Sequence, residues 1–208
     1  MIKFARDNNP LHSVEFLVQD ISVPFEKLDP KLREYEGKVD LVWSNRVLHW
    51  VPEKKRLQAA KNILRLLKAG GKAYINATYI QDFVSSLPPE QKKEVSEVLS
   101  IPSVHEQENS WRHNFRNAGA NSVNVTFEEK SYDLEKPEDF QVGRHFIHYY
   151  RRYLPDTMTL EEKDKFLEPF KDDFLRSYTG PIGKPVAKEQ MDGHTMHHYA
   201  LFHIVVTK

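Results

Sequence analysis

The chain contains no cysteine. Disulfides are therefore excluded, and so is catalysis by a thiol. Net charge is missing too: 30 acidic residues balance 30 basic ones, so no global field favours nucleic acid or a membrane surface. Glycine is scarce, 8 in 208 residues, and no G-x-G occurs. No apolar run approaches the roughly 18 residues that cross a bilayer. The N-terminus, MIKFARDNNP, is charged and amphipathic rather than a secretion signal. Two N-x-T sequons, at Asn76 and Asn124, lie in strand-like sequence and read as accidental. What remains is length enough for one domain with a real core, expected to be a cytoplasmic α/β protein.

Periodicity places the elements. Met1 to Asp7 reads as the end of a helix, stopped by Asn8-Asn9-Pro10. Val14 to Ile21, VEFLVQDI, has the β-branched and aromatic content of a strand. Lys27 to Lys38 is polar, a short helix stopped by Gly37. Val39 to Ser44 is a second strand, and Pro52 opens a helix with Leu57, Ala60, Ile63, Leu64 and Leu67 at helical spacing. Gly70-Gly71 ends it, and Lys72 to Tyr79 is a third strand. Helices are expected over Pro88 to Leu99 and Asn109 to Ala118, and a strand over Asn121 to Leu134. Helices over Pro137 to Tyr153 and Thr159 to Tyr178 follow, the second opened by a Thr159/Glu162 capping box. His197 to Thr207 is the last strand. The early alternation of strand and helix predicts a parallel sheet with crossover helices.

In such sheets ligands bind outside the carboxyl ends of the strands. Two exits there are polar, Gln19-Asp20 and Ser44-Asn45. Each pair is either a ligand contact or an ordinary turn and cap.

A third element is LRLLKAGGKAYI, a helix ending in a double glycine directly before a strand. With it the chain resembles the class I S-adenosylmethionine-dependent methyltransferases. VEFLVQDI resembles that family's third strand, VDLVWSNRVLHWV its fourth strand and following pocket loop, and LRLLKAGGKAYI its helix, L-K-P-G-G turn and fifth strand, with Ala69 in place of Pro. The Leu48-His49-Trp50 triplet and the helical insertion are most similar to the juvenile hormone acid and trans-aconitate branch. The resemblance implies a Rossmann-like α/β sheet, mostly parallel with an antiparallel last strand, and one methyltransferase-like domain over 1–208. Residues 136–180 would be a helical insertion over the active site.

The resemblance also implies a gap. The family opens with a strand and an E/D-x-G-x-G-x-G loop, whose glycines let the backbone approach the cofactor, then a second strand. Neither is in this sequence, so the chain reads as truncated at its N-terminus. In the family's sheet order, 3-2-1-4-5-7-6, the missing strands lie between VEFLVQDI and VDLVWSN. A chain folding alone is expected to bring those two together by a right-handed crossover through 22–38. Otherwise the sheet edge stays open and invites self-association.

What the resemblance implies for activity is S-adenosylmethionine-dependent methyl transfer to a small molecule, as O-methylation of a carboxylic acid. The alternative is a non-catalytic relative that binds a partner through its exposed sheet edge, the cofactor site being lost. Gln19, Asp20, Ile21, Ser44 and Asn45 are the expected cofactor contacts. Trp50 is either a wall of the substrate pocket or a core residue beneath the next helix. His49 either holds the substrate carboxylate or caps the helix at Pro52. Arg144 and His148, with Arg151 and Arg152, lie on a basic helix that either meets an anionic substrate or is a solvated face. His194, His197, His198 and His203 form no convincing metal set, since carboxylates nearby are few and strand alternation splits them. Ser103-Val104-His105 offers no nucleophile arrangement. Neither nucleic acid nor membrane is expected as a partner.

Overall fold

The computed structural model describes residues 2–8, 13–80, 82–84, 87–134, 147, 150–170 and 195–208. Six helices and four strands account for most of them. The helices are α1 (Ile2–Asn8), α2 (Pro30–Arg33), α3 (Glu53–Leu66), α4 (Pro89–Val98), α5 (Val104–Asn117) and α6 (Leu160–Leu167). The strands are β1 (Val39–Asn45), β2 (Leu67–Thr78), β3 (Ser122–Leu134) and β4 (Thr195–Thr207). Among the described residues no helix is long and apolar enough to cross a membrane.

The sheet order is β1-β2-β4-β3. Pairings fix the directions. Gly37 and Lys38 donate to the carbonyls of Arg65 and Leu66, Asp40 pairs with Lys68, and Trp43 stacks near Tyr74. Residue numbers rise together, so β1 and β2 run parallel. Between β2 and β4 they run oppositely: Gly70 donates to Lys208, and Tyr79 to Ala200. Asn121 bonds Thr207, while Phe127 meets Phe202, so β3 and β4 are antiparallel as well. The expected α/β sheet with an antiparallel last strand is what forms, in the order 4-5-7-6 of the family's numbering.

VEFLVQDI is a correction. Residues 14–20 carry no strand, and Val18 is exposed. A β-rich segment becomes a strand only with a neighbour to receive its backbone bonds. β1 lies at the end of the sheet order and pairs with β2 alone, so the expected crossover pairing does not occur. The segment is held by side chains instead, through an ion pair between Lys31 and Glu15 and the polar contacts of Gln19 and Asp20. α5 also begins five residues before the expected start. Ser103 and Glu106 close a capping box there: Ser103 N–H and Oγ donate to Glu106 Oε2 at 2.8 and 2.7 Å, and Glu106 N–H donates to Ser103 Oγ. The S-x-x-E signature was in the sequence.

The chain divides into two compact units: residues 1–75, 111–124 and 204–208 in the first, 76–110 and 125–203 in the second. In the first, α3 buries Ala59, Ala60, Ile63, Leu64 and Leu66, and Phe25 and Leu28 pack on Leu66. The second has its own core, in which Phe83, Val95 and Leu167 are almost fully buried and Phe83 meets Tyr150 edge-on at 4.7 Å. The Thr159/Glu162 capping box opens α6 as expected. Gln107 bridges Ile80 N–H, Ile80 C=O and Pro102 C=O, so its buried amide is satisfied.

The double glycine has a steric reason. A Cβ on Gly71 would lie 2.9 Å from the Val39 carbonyl oxygen and 3.0 Å from that of Lys68. Both obstacles are backbone, so β1 and β2 approach this closely only because residue 71 has no side chain. Gly71→Ala should cost about 1–3 kcal/mol, read as a lower urea midpoint with the far-ultraviolet spectrum unchanged.

Candidate functional site

Because β1 and β2 are parallel and joined by α3, the carboxyl end of β1 opens at the start of that helix. Ser44 and Asn45 end the strand, followed by Arg46, the one described non-glycine residue with a left-handed backbone, at φ 54°. Such a conformation is uncommon for a side chain of this size and marks a tight reversal. Leu48–Trp50 then form a single 3-10 turn, and Pro52 leads into α3.

Each expected residue takes a definite place. Ser44 Oγ is buried and has no hydrogen-bond partner in the protein. A buried hydroxyl without a partner costs free energy. Asn45 is exposed at the strand's mouth. His49 is 3% exposed and its ring lies 5.1 Å from that of Trp50, tilted by 42°. The N-cap of α3 is Pro52, which offers no side-chain cap of its own. Trp50 is 41% exposed, so it is not a core residue beneath α3.

Gln19, Asp20 and Ile21 are bound into the preceding loop. Gln19 Oε1 accepts from Asp29 N–H at 2.6 Å, and its amide donates to the Asp20 carbonyl. Asp20 Oδ1 accepts from Ser22 N–H and Oγ at 2.8 and 2.7 Å. These bonds, with the charge of Lys55 in the first turn of α3, hold the Asp20 carboxyl below its ordinary value. Ile21 offers its carbonyl to Asn62. For these three the turn-and-cap reading describes the observed bonds, without a strand exit beneath them. Arg144 and His148 lie outside the described residues. Arg151 is described, with a 3.6 Å ion pair to Asp164.

Asn62 is the residue sequence reasoning missed. It sits on the buried stripe of α3 at 1% exposure and donates at 2.7 Å to the carbonyls of both Ile21 and Val23. An asparagine amid apolar helix positions was the available signal. Arg56 is a second: its guanidinium lies 4.6 Å from the centre of the Trp111 ring, and its Nε donates to the Val51 carbonyl that follows Trp50. A cleft of about 410 Å³ lined by Phe25, Arg33, Glu36 and Arg65 opens at the other, amino end of β1, where Arg65 is paired with Glu26 and Glu36. It therefore lies away from the strand exits.

In the second unit His203 contacts Asn76 Oδ1 at 2.8 Å and Glu128 Oε2 at 2.5 Å. Lys130 and His203 both hold Glu128 below its ordinary value. Among the described residues no group of three or more His, Asp or Glu side chains is placed to hold a metal ion.

Two outcomes follow for the loop. Asn62→Ala leaves two carbonyls without their donor and should cost about 1–3 kcal/mol, with amide exchange rising first around Ile21 and Val23. The Asp20 turn has a depressed carboxyl, so its contribution is complete above pH 3.8 and is lost as pH falls through the folded value. Asp20→Asn should therefore lower stability at neutral pH and narrow the gap to wild type on acidification, seen by urea titration across pH.

The methyltransferase domain family model matches residues 1–75. A candidate methyltransferase of Bacillus halodurans is 14% identical, covers 100% of this chain and 78% of its own, and superposes with a TM-score of 0.48. The methyltransferase in a Haloferax volcanii complex with the activator Trm112 is 21% identical over 99% of this chain and 67% of its own, at 0.42. Haemonchus contortus phosphoethanolamine N-methyltransferase 2, bound to phosphomonomethylethanolamine and S-adenosylhomocysteine, is 14% identical and covers 83% of this chain, at 0.36. The chain spans only 34% of that last protein's length. No curated protein matches the chain. Over residues 1–75, then, the chain is similar to the methyltransferase domain family.

Proposed function

We propose that the chain serves S-adenosylmethionine-dependent methyl transfer to a small carboxylic acid. The observation that carries this reading is the exit of β1, where the buried, unpartnered Ser44 hydroxyl opens beside Asn45 and leads directly into His49 and Trp50. An orphaned hydroxyl at the carboxyl end of a parallel strand fits a ligand with polar edges, which is what the cofactor presents. Ser44 and Asn45 would hold it by hydrogen bonds, and Asp20 would face it from the loop. S-adenosylmethionine supplies a methyl group activated by its sulfonium.

The remaining work falls to the acceptor side. A carboxylate is already ionised at neutral pH, so no residue need remove a proton. His49 acts by orientation, donating a hydrogen bond to one carboxylate oxygen while the other attacks. Trp50 walls the pocket and keeps water off the attacking oxygen. Alignment at near-attack distance then contributes most of the acceleration.

Isothermal titration with S-adenosylmethionine tests the reading. Heat of binding is expected, weakened in Ser44→Ala. No heat at millimolar cofactor would sink it. With a carboxylate acceptor, His49→Ala should lower kcat/KM by about 10- to 100-fold, the size of one hydrogen bond to a charged group.

A further inference from the structure

Arg56 stands in the first turn of α3, just after Val51 and Pro52. It is 6% exposed, and a buried guanidinium takes the position that its few contacts allow. Among the described residues it has two such contacts, and neither is a carboxylate. Its Nε donates to the Val51 carbonyl at 3.2 Å, and its guanidinium carbon lies 4.6 Å from the centre of the Trp111 ring. Trp111, on α5, is itself 3% exposed, so the ring is a fixed platform. Leu48, Val51, Arg56, Trp111 and Phe115 line one small space, and all belong to the first unit.

The turn that carries His49 and Trp50 closes on itself. Trp50 N–H donates to the Val47 carbonyl at 2.9 Å, and Val51 N–H to that of Leu48 at 3.0 Å. These bonds shape the turn but do not orient it on the helix. Arg56 does so, because its Nε reaches from α3 back to the residue that closes the turn, while the Trp111 ring fixes the plane of the guanidinium. Lysine could not take its place. An ammonium is a point charge without a flat face, and cannot stack on the indole while directing a hydrogen bond to Val51.

We propose that Arg56 is the positioning residue of the acceptor side, setting the Leu48–Trp50 turn on α3 through Val51 and Trp111. Its consequence for catalysis rests on the methyl-transfer reading; the clamp itself does not. Hydrogen exchange of the full chain tests it. In Arg56→Lys, exchange of the Trp50 and Val51 amides should rise about tenfold, the scale of one hydrogen bond to a charged group. Modification of the buried His49 by diethyl pyrocarbonate should rise with it, since both need the turn to open. The Ile63 and Leu64 amides, further along α3, should keep wild-type protection, whereas a merely structural role would raise all of them together. Trp111→Phe keeps a ring under the guanidinium and should stay close to wild type. Trp111→Leu should behave as Arg56→Lys does, and stands in for it if that variant does not fold. Calorimetry with S-adenosylmethionine separates this proposal from the reading beneath it. Arg56→Lys leaves Ser44 and Asn45 untouched, so variant and wild type should bind the cofactor alike. A wild type that gives no heat sinks the methyl-transfer reading, and the exchange result still decides the clamp. Unchanged exchange at Trp50 and Val51 in Arg56→Lys, or an equal rise along the whole of α3, overturns the proposal. A cofactor affinity that falls about tenfold in Arg56→Lys overturns the assignment to the acceptor side.

Discussion

The close approach of β1 and β2 at Gly71 is the constraint on which the first unit depends. With two backbone carbonyls crowding the place where a side chain would begin, the strands run parallel with α3 as their connection. Right-handed crossovers of this kind leave the carboxyl ends of the strands on the side where the helix starts. The positions of Ser44, Asn45, His49 and Trp50 all follow from that one piece of geometry. α3 in turn organises the loop before β1, because Asn62 collects the carbonyls of Ile21 and Val23.

β1 supplies the candidate site at its carboxyl end. Side chains alternate along β1, so Leu41 and Trp43 point to one face while Val42 and Ser44 point to the other. The apolar face is left to solvent and the polar exit leads to the pocket loop.

Polar residues hold the irregular segments. Gln19 and Asp20 close the loop that follows residues 14–18. Gln107 satisfies a buried turn. His203 bridges Asn76 and Glu128 in the second unit. Each satisfies a backbone or side-chain group that hydrophobic packing alone would leave without a partner.

The sequence by itself determined the elements whose signals are local. Helical spacing marked α3 and a capping box marked α6, whereas the glycine pair, expected to stop the helix, lies inside β2. The sheet order and the antiparallel last strand were implied by the family resemblance that those segments carry, while their alternation alone implied a parallel sheet. Tertiary structure alone decided the fate of VEFLVQDI, because strand propensity is realised only where a neighbouring strand accepts the backbone bonds, and β1 has just one neighbour. It alone decided that His49 is buried while Trp50 is half open, since a 3-10 turn points adjacent side chains in different directions. It also gave Asn62 its role. Two carbonyls about forty residues away in sequence come within hydrogen-bond reach only after the loop has folded onto the helix, and no periodicity records that.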